Sequence, residues 1–464
     1  MSIRRPDSLD RRGTVLVVVL VIVALVSLAA FHFTMAMESE HRATRNGGDH
    51  IQAEQAALSG VEVLATLLEQ PRANRGSFVQ FEGVETRMWE SRSGAIEDCW
   101  FTLELNDFTE SAKLNLSSLL EWDRRRPGTA IRGLMQLPGM DERTANRILD
   151  WIDADSAQRT PGGEVNARNS LPLFIEELVL LADENKVNPQ RPAAEPAWLR
   201  FLTVTSAQRN ETFEGEARVN LNQGDLRALH DRLRETVSIE FADFVIRFRQ
   251  YGNESLSEAG ESTSDPLPID FLVLPSRNFA SLGELIGSSV AVPSSSDDDS
   301  AIVMSPLSLN VDSDAPVGQV LDLLTVKSDK RLPGRVDLSQ APVEVIAAIP
   351  GLDIQTAQQI VRVRGLSGQN RLGDQRYRHP IGILSSAGLS PSIVSQVLDK
   401  VTVGGDVVKA RVTGRCDGDV PEYRCEALLD ASHGNPRQLW VKRIGTSNVR
   451  SGGGSNQDVI NTRN

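Results

Sequence analysis

An apolar run near the N-terminus constrains this chain more than any other feature. Residues 14–37 contain no Asp, Glu, Lys or Arg, and residues 14–31 (TVLVVVLVIVALVSLAAF) are almost entirely Val, Leu, Ile and Ala. At about 1.5 Å per residue, a helix over residues 14–31 reaches about 27 Å, close to the hydrocarbon thickness of a bilayer. The run therefore predicts a helix that spans a membrane.

The residues before this run predict its orientation. Four arginines lie between positions 4 and 12, so the short N-terminus is expected to stay in the cytoplasm and the rest of the chain to be exported. Two other interpretations stay open on this segment alone. One is a secretory signal peptide cleaved at the small residues near position 30, and the other is a signal-anchor helix with no further role.

Bulk composition excludes several classes of function. The chain has 464 residues, enough for two or three domains, and its net charge of −13 gives no general affinity for phosphate. It contains no GxSxG, P-loop or HExxH motif, so we expect no enzymatic activity. A hydrolase site hidden in residues 183–330 is the weakest hypothesis, because no residue pattern supports it.

The cysteines are too few for a disulfide scaffold. Cys416 and Cys425 flank a turn-rich stretch, so they can pair if this region lies outside the cytoplasm. Two unpaired thiols are the alternative.

Hydrophobic spacing and turn residues predict an α+β chain. The predicted segments are a basic leader (1–13), an apolar then amphipathic helix (14–70), a β segment (71–110), a helical domain (111–185), a mixed α/β region with linkers (186–334), a second helical unit (335–402), a C-terminal β segment (403–446) and a disordered tail (447–464). Within the first helix, Gly47-Gly48 is expected to act as a break or kink.

A short phrase recurs three times: KLNLS at 113–117, RVNLN at 218–222 and RVDLS at 335–339. Its last residue, Ser or Asn, suits the N-cap of a following helix. The first and third copies continue into LMQLPGMDERTANRIL and VIAAIPGLDIQTAQQIV. Both continuations predict a helix-hairpin-helix unit with a Pro-Gly turn.

Helix hairpins of this type often bind nucleic acid through a Gly-hydrophobic-Gly turn. Here the turns read Gly139-Met140-Asp141 and Gly351-Leu352-Asp353. The aspartate adds a negative charge where a phosphate would approach, which disfavours binding. We therefore expect protein packing rather than nucleic acid contact, and a membrane-anchored DNA receptor of the competence type is the second hypothesis.

The leader that ends at Gly13, the apolar helix and its Ala-rich continuation resemble a type IV prepilin N-terminus. Downstream, DFTESAKLNLSSL, LPGM…ANRILDWIDADS…GGEVNARN and LPLFIEELVLL resemble the K-type minor pseudopilin of the type II (general) secretion pathway. The match covers roughly 11–70 and 107–182, and 335–400 resembles the closing helical phrase of that family.

This resemblance implies a pilin-type α/β domain with an inserted, SAM-like helical domain, held by a single span in the inner membrane with the bulk in the periplasm. It also implies cleavage by a prepilin peptidase between Gly13 and Thr14, although Thr14 replaces the usual Phe, Met or Leu. The implied partners are the membrane, other minor pseudopilins and secreted protein substrates.

Most pilins carry a Glu at the fifth mature position, which is Val18 here. That carboxylate can pair with the α-ammonium of a neighbouring subunit inside an apolar bundle, and a buried ammonium without a partner costs several kcal/mol. A subunit with Val18 is poorly suited to receive another N-terminus. It fits the filament tip, where the resemblance also places it.

An acidic loop carries the one metal hypothesis. The family phrase WxDxD…GxE stands here as Trp151, Asp153, Asp155, Gly163 and Glu164. The resemblance implies a structural Ca²⁺ bound by Asp153, Asp155 and Glu164, and hard oxygen ligands suit that ion. A solvated acidic turn is the alternative. No cofactor is required.

Overall fold

The structure is a computed structural model of the chain. It describes residues 11–75, 86–88, 99–105, 109–155, 157–161, 167–182, 196–252, 268–293, 300–309, 314–366, 378–416 and 422–444. The side chains of 11–14 and the whole predicted tail, 447–464, lie outside the described part.

Helices and strands alternate irregularly along the chain. The helices are α1 (Arg11–Glu69), α2 (Leu116–Arg125), α3 (Thr129–Leu134), α4 (Glu142–Ile152), α5 (Leu226–Thr236), α6 (Ile239–Tyr251), α7 (Asp314–Asp322), α8 (Val343–Ala347), α9 (Ile354–Leu366), α10 (Pro380–Ser386) and α11 (Pro391–Val397). Short 3-10 helices lie at Arg72–Asn74, Glu110–Ala112, Ile175–Leu181, Leu199–Phe201 and Leu282–Leu285. The strands are β1 (Thr86–Met88), β2 (Cys99–Leu105), β3 (Leu114–Asn115), β4 (Leu202–Thr203), β5 (Ala207–Arg209), β6 (Val219–Asn220), β7 (Ser289–Pro293), β8 (Ser300–Met304), β9 (Leu324–Thr325), β10 (Arg331–Pro333), β11 (Val336–Asp337), β12 (Val401–Thr402), β13 (Val407–Cys416), β14 (Tyr423–Asp430) and β15 (Arg437–Arg443).

Helix α1 is a single element of 59 residues, about 88 Å long at 1.5 Å per residue. It continues through Gly47-Gly48, so the predicted break there is wrong. A Cβ on either glycine would meet no atom within 4 Å, so neither is required by a close contact. The residues before and after the two glycines are helical, and their backbone hydrogen bonds keep this stretch helical.

The main sheet has five strands in the order β1-β2-β13-β14-β15. Strand β2 pairs antiparallel with β13, and Leu105 lies opposite Ala410. These two neighbours in the sheet are far apart in sequence. The residues from 109 to 406, which we call the head, are therefore an insertion between two adjacent strands.

The second half of α1 packs on this sheet through small residues. Ala53, Ala57 and Val61 are buried against the sheet, together with Leu64 and Leu68. Ile51, near the start of this half, is 60% exposed. The spacing of the small residues lets the helix backbone approach the sheet closely.

Three units of similar outline build the head. Each begins with one copy of the repeated phrase as a two-residue strand and ends with a two-residue strand that pairs with it in parallel: β3 with β4, β6 with β9, and β11 with β12. The closing strands carry a second repeated phrase, Leu202-Thr203-Val204, Leu324-Thr325-Val326 and Val401-Thr402-Val403. The helices lie between the two strands of each unit.

The same turn follows all three opening strands. The side-chain Oδ1 of Asn115 accepts a hydrogen bond from Ser117 N at 2.9 Å, and Asp337 Oδ1 accepts one from Ser339 N at 2.9 Å. In the second unit, Oδ1 of Asn220 accepts from the backbone two residues on at 3.0 Å. The third residue of the phrase therefore makes the turn, which corrects the expectation that the last residue does so.

One continuous apolar core runs through all three units of the head, and a second core lies between α1 and the main sheet. The predicted α+β class with a long apolar N-terminal helix is confirmed.

Candidate functional site: the anchor helix and its junction with the head

The first half of α1 presents an apolar surface that no other described part of the chain covers. Between Val15 and Glu69 the helix is long and apolar enough to cross a membrane, and its most apolar stretch of 18 residues has a mean hydropathy of 3.0 and is not buried. Val18 is 55% exposed and has apolar neighbours. Gly13 and Thr14 lie within α1, and cleavage between them stays a prediction.

The C-terminal end of α1 is held by arginines. Four carbonyls at the end of a helix lack intrahelical partners. Nη2 of Arg75 donates to Leu68 O at 2.8 Å, and Nη2 of Arg209 donates to Leu68 O at 2.7 Å and to Gln70 O at 2.9 Å. Positive charge at this position also interacts favourably with the negative, C-terminal end of the helix dipole.

A buried carboxylate joins these arginines. Asp406 is fully buried and stands directly before β13. Its Oδ1 accepts from Arg75 Nη1 at 2.7 Å, and its Oδ2 accepts from Arg72 Nη2 at 3.2 Å and from the backbone N of Arg209 at 2.6 Å. The end of α1, which we call the anchor helix, therefore meets the head and the main sheet at one carboxylate. We call Arg72, Arg75, Arg209 and Asp406 the junction.

No spacing in the sequence signals the junction. Arg75 and Asp406 are separated by 331 positions, and Arg209 lies between them in the head. The only local clue is that basic residues follow the end of a long helix, a position where they favour its carbonyls.

The two hairpin turns have the conformation that the Pro-Gly phrase predicts. Gly139 and Gly351 adopt φ values of +75° and +102°. The aspartates then cap the second helices: Oδ1 of Asp141 accepts from Thr144 N, and Oδ1 of Asp353 accepts from the corresponding amide, each at 2.8 Å. One helix amide at each turn is therefore already bonded to a carboxylate, and the negative charge of that carboxylate disfavours a phosphate there, which opposes the DNA-receptor hypothesis.

The acidic loop is partly neutralised from within the protein. Arg159 pairs with Asp150 at 2.7 Å and also with Asp153. Burial raises the pKa of Asp153, and the hydrogen bond from Arg159 opposes that shift. Asp155 caps the amide of Ala157 at 2.8 Å. In the ranges that the structure describes, no three His, Cys, Asp or Glu residues form a metal site, and Glu164 lies outside those ranges.

The cysteines pair differently from the sequence expectation. The disulfide joins Cys99 to Cys416, and Cys425 is a buried free thiol. The reason is strand register: Cys99 lies directly opposite Cys416 across β2 and β13, whereas Cys425 lies opposite Val412. The predicted pair Cys416–Cys425 is therefore wrong.

No family model and no curated protein matches this chain. Among solved structures, the chain is similar to the crystal structure of the GspK-GspI-GspJ complex from the enterotoxigenic Escherichia coli type 2 secretion system. The identity is 11%, the match covers 87% of this chain and 100% of the other, and the TM-score is 0.36. At this TM-score the two folds do not superpose closely enough to transfer a site residue by residue.

Proposed function

We propose that this protein is a structural subunit of an inner-membrane secretion apparatus, a minor pseudopilin of K type at the tip of a type II secretion pseudopilus. Helix α1 is the observation that carries the proposal. Its first half is an exposed apolar rod without a carboxylate at Val18, and its second half is fixed to a sheet that bears a large head. This architecture supports a structural role rather than a catalytic one.

The exposed rod requires an apolar environment. From Val15 to Met37 the large side chains Val15, Leu16, Leu20, Leu25 and Phe31 are each at least 60% exposed, which is untenable in water over such a length. Lipid and the apolar helices of sister subunits both satisfy it. A subunit that leaves the membrane to join a filament needs a helix that is stable first in lipid and then among the helices of sister subunits.

Val18 limits what can be added above this subunit. A new subunit would bring an α-ammonium into the apolar bundle, and Val18 offers no negative charge to compensate it. The head adds a steric limit, because all of it projects from one connection between β2 and β13. Both features favour a terminal position in the filament.

Mature N-terminal mass and filament position test the proposal together. We expect a mature chain that begins at Thr14 and copurifies with the other minor pseudopilins in roughly one copy per filament. Val18→Glu should let the protein incorporate at internal positions, whereas Val19→Glu, at an equally exposed neighbour, should only weaken assembly. An intact Met1, a cut near Ala30, or filaments that never contain the protein would refute the proposal.

A calcium ion in the acidic loop is a separate part of this proposal. Oδ1 of Asp153 is buried and accepts no hydrogen bond from the described residues, so one carboxylate oxygen is available to a cation. Asp155 and Glu164 would complete the oxygen donors. We expect Ca²⁺ to raise the Tm of the wild type and not of Glu164→Gln, measured against EDTA with Mg²⁺ as the control ion. Equal Tm values with Ca²⁺ and EDTA would exclude the site.

A further inference from the structure

A small polar cavity lies where the second and third units of the head meet the end of the anchor helix. Its volume is about 30 Å³. Four arginines line it, Arg72, Arg218, Arg335 and Arg378, together with the carboxylates of Asp322 and Asp399. His379 also lines it, and burial lowers the pKa of its ring to about 3, so the ring is neutral.

Comparison of the three repeated phrases singles out one of these cations. Each phrase begins with a basic residue. In the first copy Lys113 pairs with Glu110 at 2.5 Å, and in the second Arg218 pairs with Asp322 at 2.6 Å. In the third, Arg335 makes no ion pair or hydrogen bond with any residue in the described ranges. Among the described residues, the third copy therefore has the cation of the repeat without the direct ion pair that the other two copies make.

Nearby charges compensate Arg335 only in part. Burial lowers its pKa to about 10, and the positive charge of Arg218 acts in the same direction. The carboxylate of Asp399 opposes this shift, but it is already shared by Lys400 at 3.0 Å and Arg125 at 3.5 Å. A partly buried guanidinium among other cations is unfavourable unless an anion joins it.

Two neighbours offer further donors to an anion. Arg378 pairs with Glu214 at 3.3 Å, but its Nε is buried without a partner among the described residues. Nδ1 of His379 accepts a hydrogen bond from Ile381 N at 3.3 Å, so the ring proton is assigned to Nε2. The cavity therefore offers hydrogen-bond donors besides the Arg335 guanidinium.

We propose that this cavity binds a small inorganic anion, with Arg335 as its principal ligand. The guanidinium group donates two parallel hydrogen bonds and suits oxyanions such as sulfate and phosphate, while chloride satisfies the same charge. A cavity of about 30 Å³ has room for an ion of this kind. The bound anion would join the two units at the point where Arg72 connects them to the anchor helix, and this role does not depend on the proposed function.

Thermal unfolding of the full chain in non-ionic detergent tests the proposal. Chloride, sulfate and phosphate are each titrated at constant ionic strength against gluconate, whose anion is too large for the cavity. In the wild type we expect a saturable rise in Tm on the order of 1–3 °C with at least one of the small anions. Arg335→Met should abolish the rise, and its Tm in gluconate should equal or exceed that of the wild type, because an uncompensated charge is removed.

Arg143→Met is the matched control, since Arg143 is exposed and lies away from the cavity; it should keep the full response. A full anion response in Arg335→Met, or no difference between gluconate and all three small anions in the wild type, would overturn the proposal. If Arg335→Met fails to fold, Arg335→Gln keeps a hydrogen-bonding group in the cavity. The same full response in that variant would be equally decisive.

Discussion

Replacement of Gly414 by Ala tests how the anchor helix is fixed to the sheet. Gly414 lies in β13, directly under α1. A Cβ at this position would be 1.8 Å from the carbonyl O of Ala53 and 2.8 Å from the backbone N of Ala57. Both are backbone atoms, so no side-chain rotation can relieve the contact, and α1 must move away from the sheet by roughly 1.5 Å to reach van der Waals distance.

The magnitude follows from overpacking and chain entropy. Forcing an extra methyl group into a packed core costs about 1–3 kcal/mol, and a helix displaced along its length falls at the upper end. Ala in a strand recovers about 0.5–1 kcal/mol of the entropy that Gly loses on folding. We expect Gly414→Ala to lower the free energy of unfolding by about 2 kcal/mol.

Two other glycines calibrate this measurement in urea titrations of the full chain in detergent. A Cβ at Gly60 would be 2.7 Å from both Phe101 Cδ2 and Val412 Cγ1, which are side-chain atoms that can shift, so its cost should be smaller. Gly224 has no atom within 4 Å of an added Cβ, so Gly224→Ala should change stability by less than about 0.5 kcal/mol. If Gly414→Ala and Gly224→Ala unfold at the same urea concentration, α1 does not lie as close to the sheet as described.

Three further predictions concern the junction, the disulfide and a hairpin cap. Asp406→Asn should lower the free energy of unfolding by about 3 kcal/mol in the same urea assay, because Arg75 then keeps a buried charge without its carboxylate. Cys416→Ser should lower it by about 2–4 kcal/mol by removing the cross-link to Cys99, and a thiol count of the unfolded, unreduced wild type should give one free cysteine. A hydrogen bond from a helix amide lowers the pKa of Asp353. The ionised Asp353 therefore stabilises the fold above the unfolded pKa of about 3.9, and this stabilisation is lost as the pH falls through the lower folded pKa. In a plot of Tm against pH, Asp353→Ala should remove this contribution to the fall in Tm at acid pH.

The features that the sequence predicts are those set by residues close together in the chain. The apolar rod, the strands on either side of the head and the two Pro-Gly turns follow from periodicity and turn chemistry, each read within a short window. Strand order is a different kind of property. Cys99 and Cys416 are 317 positions apart, and only the pairing of β2 with β13 brings them opposite each other. Closeness in the sequence suggested Cys425 as the partner of Cys416, but the strand register places Cys425 opposite Val412.

The second unit of the head shows a related limit. Its opening phrase at 218–222 was visible in the sequence, but the helices that follow, α5 and α6, carry no Pro-Gly turn that resembles the other two. The closing phrases are equally short, because each closing strand has two residues. Such strands are too brief for hydrophobic alternation to predict them. Their parallel pairing with the opening strands shows where each unit ends.

The same long-range pairing gives the junction its mechanical consequence. Because the head enters and leaves the sheet through adjacent strands, a force on α1 can reach it through the main sheet and through the arginines at the end of the helix. Asp406 belongs to both routes, since it precedes β13 and binds Arg75 and Arg209. If α1 is pulled along its axis, it must therefore carry the head with it or break the buried ion pair between Arg75 and Asp406.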